Sequence, residues 1–266
     1  MDTLQVLVAT MHQKDFSIGE TMNIRCGAVF ANQADRNETA ICQTRWGDWK
    51  MVTTATRGVG LNRNFALMSA DAEILMLADD DVVYNDDMPQ QVIKAFQENP
   101  QADVLIFGMD ILKNGKVTEK RHLQAKRRHV WDSMRFGTYT MAIRRKALLR
   151  GNITFHQCFG GGCMYSAGED SIFLKTCFDR GLKIYSHPYV LGTCCKDTSS
   201  WFVGHNEKYF YDKGALMAHL FPRIPRLMGI YFGVRFKRET KVPVMRRVQL
   251  IFRGIRGGKK LEPYTE

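Results

Sequence analysis

The stretch EILMLADDDVVYNDD, residues 73–87, constrains this chain more than any other. An apolar run from Ile74 to Ala78 ends in Asp79, Asp80 and Asp81, and Asp86 and Asp87 follow with no Lys or Arg between. A short apolar run bounded by polar residues reads as a buried strand, so the core anchors an acidic loop at the strand's end. In extended backbone Asp79 and Asp81 project to one side and Asp80 to the other. Like charges that close repel and raise each other's pKa unless a cation compensates. Mg²⁺ or Mn²⁺ would compensate, because such ions take oxygen ligands and keep positions for water and substrate phosphate. A solvated acidic turn is the ordinary reading of two aspartates, and the hydrophobic strand leading in favours the metal. An EF-hand is excluded: counting from Asp79, Tyr84 and Gln90 stand where that loop needs Gly and Glu.

Other strand-like runs cover Leu4–Ala9, Gly27–Ala31, Met51–Thr54 and Val104–Gly108. Helical patterns separate some of them. LNRNFALMSA places Leu61, Phe65 and Met68 at helical spacing, and MPQQVIKAFQENP predicts a helix from about Pro89 that stops before Pro100. Strands alternating with helices predict an α/β fold, a mostly parallel central sheet flanked by helices, with ligands at the carboxyl ends of strands. Residues 113–150 are basic, and strand-like GTYTMAI runs into RRKALLR. FGGGCMYSAGEDSIFLKTCFDRG predicts a glycine-rich turn and then a helix with Phe173, Leu174, Cys177 and Phe178 on one face. LKIYSHPYVLG reads as a further strand.

The 266 residues, 45% hydrophobic, allow one large domain or a domain with an appendage. The net charge of +11 is concentrated: residues 219–266 hold 12 Lys/Arg against 3 Asp/Glu, and the rest hold 26 against 24. That tail interleaves its cations with Phe221, Leu227, Tyr231, Phe232, Phe236 and Phe252. Two readings stand. The helices lie on an anionic membrane, or they pack on the body with a solvated basic rim. No run approaches the ~20 apolar residues of a membrane span. The apolar N-terminus follows an acidic residue, unlike a signal peptide, and seven irregularly spaced cysteines suit a reducing compartment. The expected location is cytoplasmic, and the first of the two readings of the tail adds peripheral contact at the cytoplasmic face of the inner membrane.

Upstream of the aspartates, RGVGLNRN offers backbone N–H groups at a helix start together with Arg57 and Arg63, a cradle for anions. It is no dinucleotide fingerprint, since Arg63 takes the place of the third Gly, and no Walker sequence occurs. His156, Cys158 and Cys163 do not match a tetrahedral zinc spacing.

Taken together, GVGLNRNFALMSADAEILMLADDDVVY resembles the donor-binding stretch of family-two glycosyltransferases of the GT-A fold, and GEDSIFL resembles their Glu-Asp motif. DTSSWF and KYFYDKGAL resemble the downstream region of bacterial members that build surface polysaccharides. The resemblance runs in order from Leu4 to Leu216. It implies a GT-A (nucleotide-diphospho-sugar transferase) fold over residues 1–218, with a nucleotide-sugar-binding half at 1–110, an acceptor half at 111–218, and a C-terminal helical basic appendage at 219–266. It also implies an inverting transferase that moves a sugar from a nucleotide diphosphate sugar to a saccharide or lipid-linked saccharide acceptor.

Carried across by position, the resemblance makes Asp79 and Asp81 the metal ligands for Mn²⁺ or Mg²⁺, and Asp80 a group facing the donor sugar or ribose. Arg63 matches a donor-contacting arginine and Thr10 a residue lining the nucleotide pocket, while FANQAD offers Asn32, Gln33 and Asp35 where a base-contacting acid often follows the second strand, a departure that leaves the base open. Some relatives add a histidine to the metal; His205 and His187 are candidates, and so is no histidine. The acceptor hydroxyl needs a general base, a role assigned to Asp170, with Glu169 orienting the acceptor or the local backbone. Acids in a first helical turn also serve simply to oppose the helix dipole. Trp201 could stack on an acceptor sugar or fill the core. Two other functions fit parts of the sequence. A sugar-phosphate nucleotidyltransferase would carry a glycine-rich phosphate loop after the first strand, where ATMHQKD has none. A nucleic-acid-binding protein has no use for an acidic strand end, so no nucleic acid is expected as a partner.

Overall fold

The computed structural model describes residues 3–195, 204–236 and 238–265. Its first half builds a parallel block: β1 (Leu4–Met11), α1 (Ser17–Thr21), β2 (Gly27–Gln33), β3 (Glu38–Thr44), β4 (Gly47–Thr54), α2 (Val59–Ser69), β5 (Ile74–Asp79) and β6 (Val82–Tyr84). Strands β4, β2, β1 and β5 lie side by side in parallel. The registers Ala9↔Asp79 and Thr10↔Asn32 bring the carboxyl ends of β1, β2 and β5 level. That edge is where the acidic loop emerges.

The second half continues with α3 (Met88–Glu98), β7 (Val104–Lys113), β8 (Lys116–Arg121), β9 (Lys126–Arg127), β10 (Met141–Arg144), α4 (Arg145–Gly151), α5 (Glu169–Asp179) and β11 (Ile184–Cys195). β10 runs antiparallel between β5 and β7, β7 and β11 are parallel, and β6 closes the edge antiparallel to β11. The central strands of the 11-stranded sheet are buried on both faces, while β3, β8 and β9 at its margins are largely exposed. Along β5, Ile74, Met76 and Ala78 enter one core while Leu75 and Leu77 enter the other. An unbroken apolar run is what a strand covered on both sides requires.

Three helices complete the chain: α6 (Glu207–Leu220), α7 (Pro225–Arg235) and α8 (Val244–Lys260). Phe210, Met217, Leu250, Ile251 and Ile255 form a core of their own between α6 and α8. The two backbones meet at Gly254, where a Cβ would overlap the carbonyl of Tyr211. The C-terminal segment is then tied to the body, because the hydroxyls of Tyr165 and Tyr211 donate to the Glu262 carbonyl at 2.9 and 3.0 Å. No described helix is long and apolar enough to cross a membrane. All seven cysteines are free thiols.

The five strand-like runs and the helix after Asp87 are present, and the fold is the α/β arrangement the sequence predicts. Three local features differ. GTYTMAI is strand only from Met141, because Thr138–Thr140 turns as a 3-10 helix before β10 begins. The hairpin strand β3 escapes a hydrophobic reading, since it lies at the sheet edge with most of its side chains exposed. Helix α2 does not bury the face marked by Leu61, Phe65 and Met68: Met68 is exposed, and Asn62, Arg63 and Asn64 are buried instead. Trp201 and the DTSSWF stretch lie outside the described residues.

Candidate active site

Arg63 is the hub of the site. Its side chain, only 6% exposed, leaves the buried face of α2 and meets three carboxylates. Its Nη2 donates to Asp79 Oδ1 at 2.5 Å, and its Nη1 donates to Glu169 Oε1 at 3.2 Å and Asp170 Oδ1 at 3.1 Å. The guanidinium also lies over the Phe155 ring at 5.3 Å. Burial works against its charge; Asp79, Asp170 and Glu169 together more than offset that and raise its pKa. A buried charge persists only with such pairing. One cation therefore joins the strand-end aspartate to the acidic pair opening α5.

Neighbouring asparagines hold α2 in place. Asn62 Nδ2 donates to the carbonyls of Ala31 and Thr10, across the ends of β2 and β1. Asn64 exchanges two hydrogen bonds with the backbone of Phe155, fastening the glycine-rich segment to the helix. Within that segment Gly160 has φ +106, and a Cβ there would crowd Val59 and the Glu169 carboxylate. Only glycine adopts this backbone at such close range without strain.

The strand-end residues divide their work. Asp79 turns to Arg63, while Asp80 Oδ2 accepts a hydrogen bond from Thr10 Oγ1 at 2.7 Å. Partial desolvation pushes the Asp80 carboxyl up, Thr10 opposes the shift, and Asp79 adds to it. Asp81 accepts Cys195 N–H through its backbone carbonyl. Gln33 Oε1 accepts from Gly58 N at 2.8 Å and so closes the turn into α2. Asn32 is fully buried and committed: its amide bonds Gln13 N, Gln13 O and Thr53 Oγ1. It acts by fixing the loop after β1, and no surface of it faces a cleft.

Glu169 and Asp170 form the first turn of α5 after Gly168, and Glu169 Oε2 accepts from Gly168 N at 3.1 Å. Asp170 Oδ1 accepts from Thr138 Oγ1 at 2.8 Å as well as from Arg63. Burial pushes the Asp170 carboxyl up to about 7; Glu169 pushes the same way, Arg63 opposes, Asp79 adds and Thr138 opposes. A carboxyl tuned to that range is suited to exchanging protons at neutral pH. Helix α6 steadies the approach to α5, since Asp212 Oδ2 accepts from Ser166 N and Ser166 Oγ, with Lys208 paired to the same oxygen at 2.6 Å.

Thr138 and Asp212 were invisible to sequence reading. Thr138 lies in GTYTMAI, which reads only as strand, and Asp212 in KYFYDKGAL, where nothing local singles out the acid; their partners stand 32 and 46 positions away. His205 does not join the aspartates in its described contacts. Its Nδ1 pairs with the Glu239 carbonyl, and its ring packs between Tyr209 and Phe236 at 4.9 and 5.0 Å. His187 packs against Phe107. The donor set suited to a metal is therefore the strand-end carboxylates. Their all-oxygen chemistry fits a hard divalent cation, although Asp79 already has Arg63 as its counter-charge. Among the described residues no three His, Cys, Asp or Glu side chains enclose an ion, so an ion there would complete its shell with water and substrate phosphate, as Mg²⁺ commonly does.

The sequence pattern of Glycosyl transferase family 2 matches residues 29–167, a span that contains Arg63 and the three aspartates. No curated protein matches the chain. Among solved structures, the crystal structure of S. aureus TarS 1-349 in complex with UDP-GlcNAc superposes with a TM-score of 0.60 at 14% identity, covering 98% of this chain and 73% of that one. Its complex with UDP gives 0.57 at 15% identity, with 97% and 72% covered. At such identities the likeness is one of fold.

Proposed function

The chain belongs to glycosyl transferase family 2, and from that premise we propose that it transfers a sugar, with inversion, from a nucleotide diphosphate sugar to a saccharide or lipid-linked saccharide during bacterial surface-polysaccharide synthesis. The observation that carries this reading is Arg63 joining Asp79 to Asp170. It supports reading Asp79 as the phosphate-side carboxylate and Asp170 as the proton acceptor of a single site. The TarS structures with UDP-GlcNAc and UDP support a uridine nucleotide as the first donor to try.

The donor diphosphate lies at the carboxyl ends of β1, β2 and β5, beside Thr10 and the aspartates. Mn²⁺ or Mg²⁺ held by Asp79 and Asp81 would neutralise the departing diphosphate. Asp80, oriented by Thr10, faces the donor sugar or ribose. Asp170 takes the proton of the acceptor hydroxyl as that oxygen attacks the anomeric carbon from the face opposite the leaving group, which inverts the centre. Thr138 and Arg63 hold the Asp170 carboxylate, and Glu169 braces the turn from which it projects. We assign no histidine to this metal set.

We assign residues 1–218 to catalysis and residues 219–266 to an extension that meets the membrane from the cytoplasmic side. On α7, Leu227, Ile230, Tyr231 and Val234 are exposed, while Arg223, Arg226 and Arg235 flank them. An apolar stripe bordered by cations suits the interface of an anionic bilayer.

The test is transfer from a panel of nucleotide sugars with Mn²⁺, with and without EDTA. Asp170→Asn should keep donor affinity within about threefold and lose transfer by about 10²–10⁴-fold. The wild-type kcat/KM should climb with pH until Asp170 is ionised, near pH 7, and then level, whereas EDTA should abolish turnover. Near-normal transfer by Asp170→Asn would overturn the assignment.

A further inference from the structure

We propose that a basic cavity beside the candidate base binds a phosphoryl group carried by the acceptor, an inference that rests on the transferase reading above. The cavity measures about 580 Å³ and is lined by Lys120, Arg121, Lys126, Arg128 and Arg135 against the single acid Glu119. Two of these cations are already paired: Arg121 with Glu119 at 2.9 Å, and Arg135 with Asp132 at 3.3 Å. Among the described residues no carboxylate pairs with Lys120, Lys126 or Arg128.

Arg128 is the anchor of the site. Its Nε and Nη2 both donate to Ser186 Oγ, at 3.0 and 2.7 Å, and its guanidinium lies 5.1 Å from the centre of the Phe136 ring. Ser186 is itself buried and donates to the Gln124 carbonyl at 2.6 Å. The cation is thus held in position by neutral groups, with its charge uncompensated. A guanidinium fixed in this way binds phosphoryl oxygens in charge-assisted hydrogen bonds with little further ordering.

The cavity also lies where an acceptor would be. Gly137 and Thr140 line it, on either side of Thr138, whose hydroxyl donates to Asp170. The pairing Ala142↔Met76 sets this turn level with the end of β5, at the edge of the sheet that carries Asp79. An acceptor whose hydroxyl reaches Asp170 would extend its phosphoryl group into the cluster. The proposed mechanism assigns the metal and the donor to Thr10 and the strand-end aspartates, which leaves the charge of these cations to the other substrate.

The experiment titrates methyl phosphate into the full-length protein saturated with UDP, which keeps the probe from the donor pocket. Lys120→Ala/Lys126→Ala changes only exposed side chains, and Arg128→Gln removes the anchor. Each should weaken methyl phosphate binding by about tenfold, the scale of one charged hydrogen bond, with UDP affinity and donor hydrolysis within about twofold. In transfer assays, KM should rise for the acceptor that bears the phosphoryl group and stay level for a neutral saccharide. Saccharides carrying a prenyl diphosphate and a glycerol phosphate ester separate the two sources of that group. Unchanged methyl phosphate affinity in both variants, or none in the wild type, would overturn the proposal. Wild-type protein that neither binds UDP nor hydrolyses a nucleotide sugar would instead sink the transferase reading itself.

Discussion

Helices α2 and α8 each bury one side, and the two buried sides have opposite chemistry. α8 hides Leu250, Ile251 and Ile255 and leaves Gln249, Arg256, Lys259 and Lys260 in solvent. α2 hides Asn62, Arg63 and Asn64 and leaves Met68 exposed. In α8 the removal of apolar surface from water is sufficient reason for the packing. In α2 it is not, because buried polar groups repay their desolvation only through partners. All but the Asn62 Oδ1 have partners among the described residues: two strand-end carbonyls for the Asn62 Nδ2, the Phe155 backbone for Asn64 and three carboxylates for Arg63. An apolar face would cost less and would hold the helix equally well. The difference marks α2 as part of the site and α8 as scaffold.

Substitution on each helix can break that contrast. Arg63→Ala strands three carboxylates around an emptied position and should cost about 3–5 kcal/mol of stability, read from urea unfolding. Transfer should vanish with it, and Arg63→Lys should fail to restore transfer, since a point charge cannot fork to Asp79 and the acidic pair together. If Arg63→Met matched the wild type in both stability and turnover, α2 would be scaffold as well. On α8, Ile251→Ala should cost about 2–5 kcal/mol through the cavity it leaves, with UDP affinity unchanged. A parallel loss of UDP binding would erase the distinction between the helices. The mildest change is on neighbouring α7, where Leu227→Glu with Tyr231→Glu should shift stability by no more than about 0.5 kcal/mol. Sedimentation with anionic vesicles should fall all the same, and unchanged sedimentation would take the membrane role away from this surface.

What could be read from the chain follows the range of the physics involved. β5 and its acidic end stood out because the apolar run and the charge are contiguous. The helix after Gly168 was legible from the spacing of Phe173, Leu174 and Cys177, all buried as expected. Met68 misled because helical spacing reports a pattern, and the neighbours decide which side is covered. Asn32 shared a strand end with Thr10 and so looked like a ligand contact, yet its neighbours Gln13 and Thr53 enclose it. His205 lay in a plausible order along the chain and packs among aromatic rings of the helical layer instead.

Local pattern alone determined that this protein would carry aspartates on a buried strand and a Glu-Asp pair at a helix start. Hydrophobic alternation and turn chemistry act over a few residues, and they are written directly in residue order. Only the tertiary structure decided that one guanidinium would reach carboxylates 16, 106 and 107 positions away. Which charge meets which over such separations is settled by how sheet and helices pack, and by the need of a buried cation for every partner within reach.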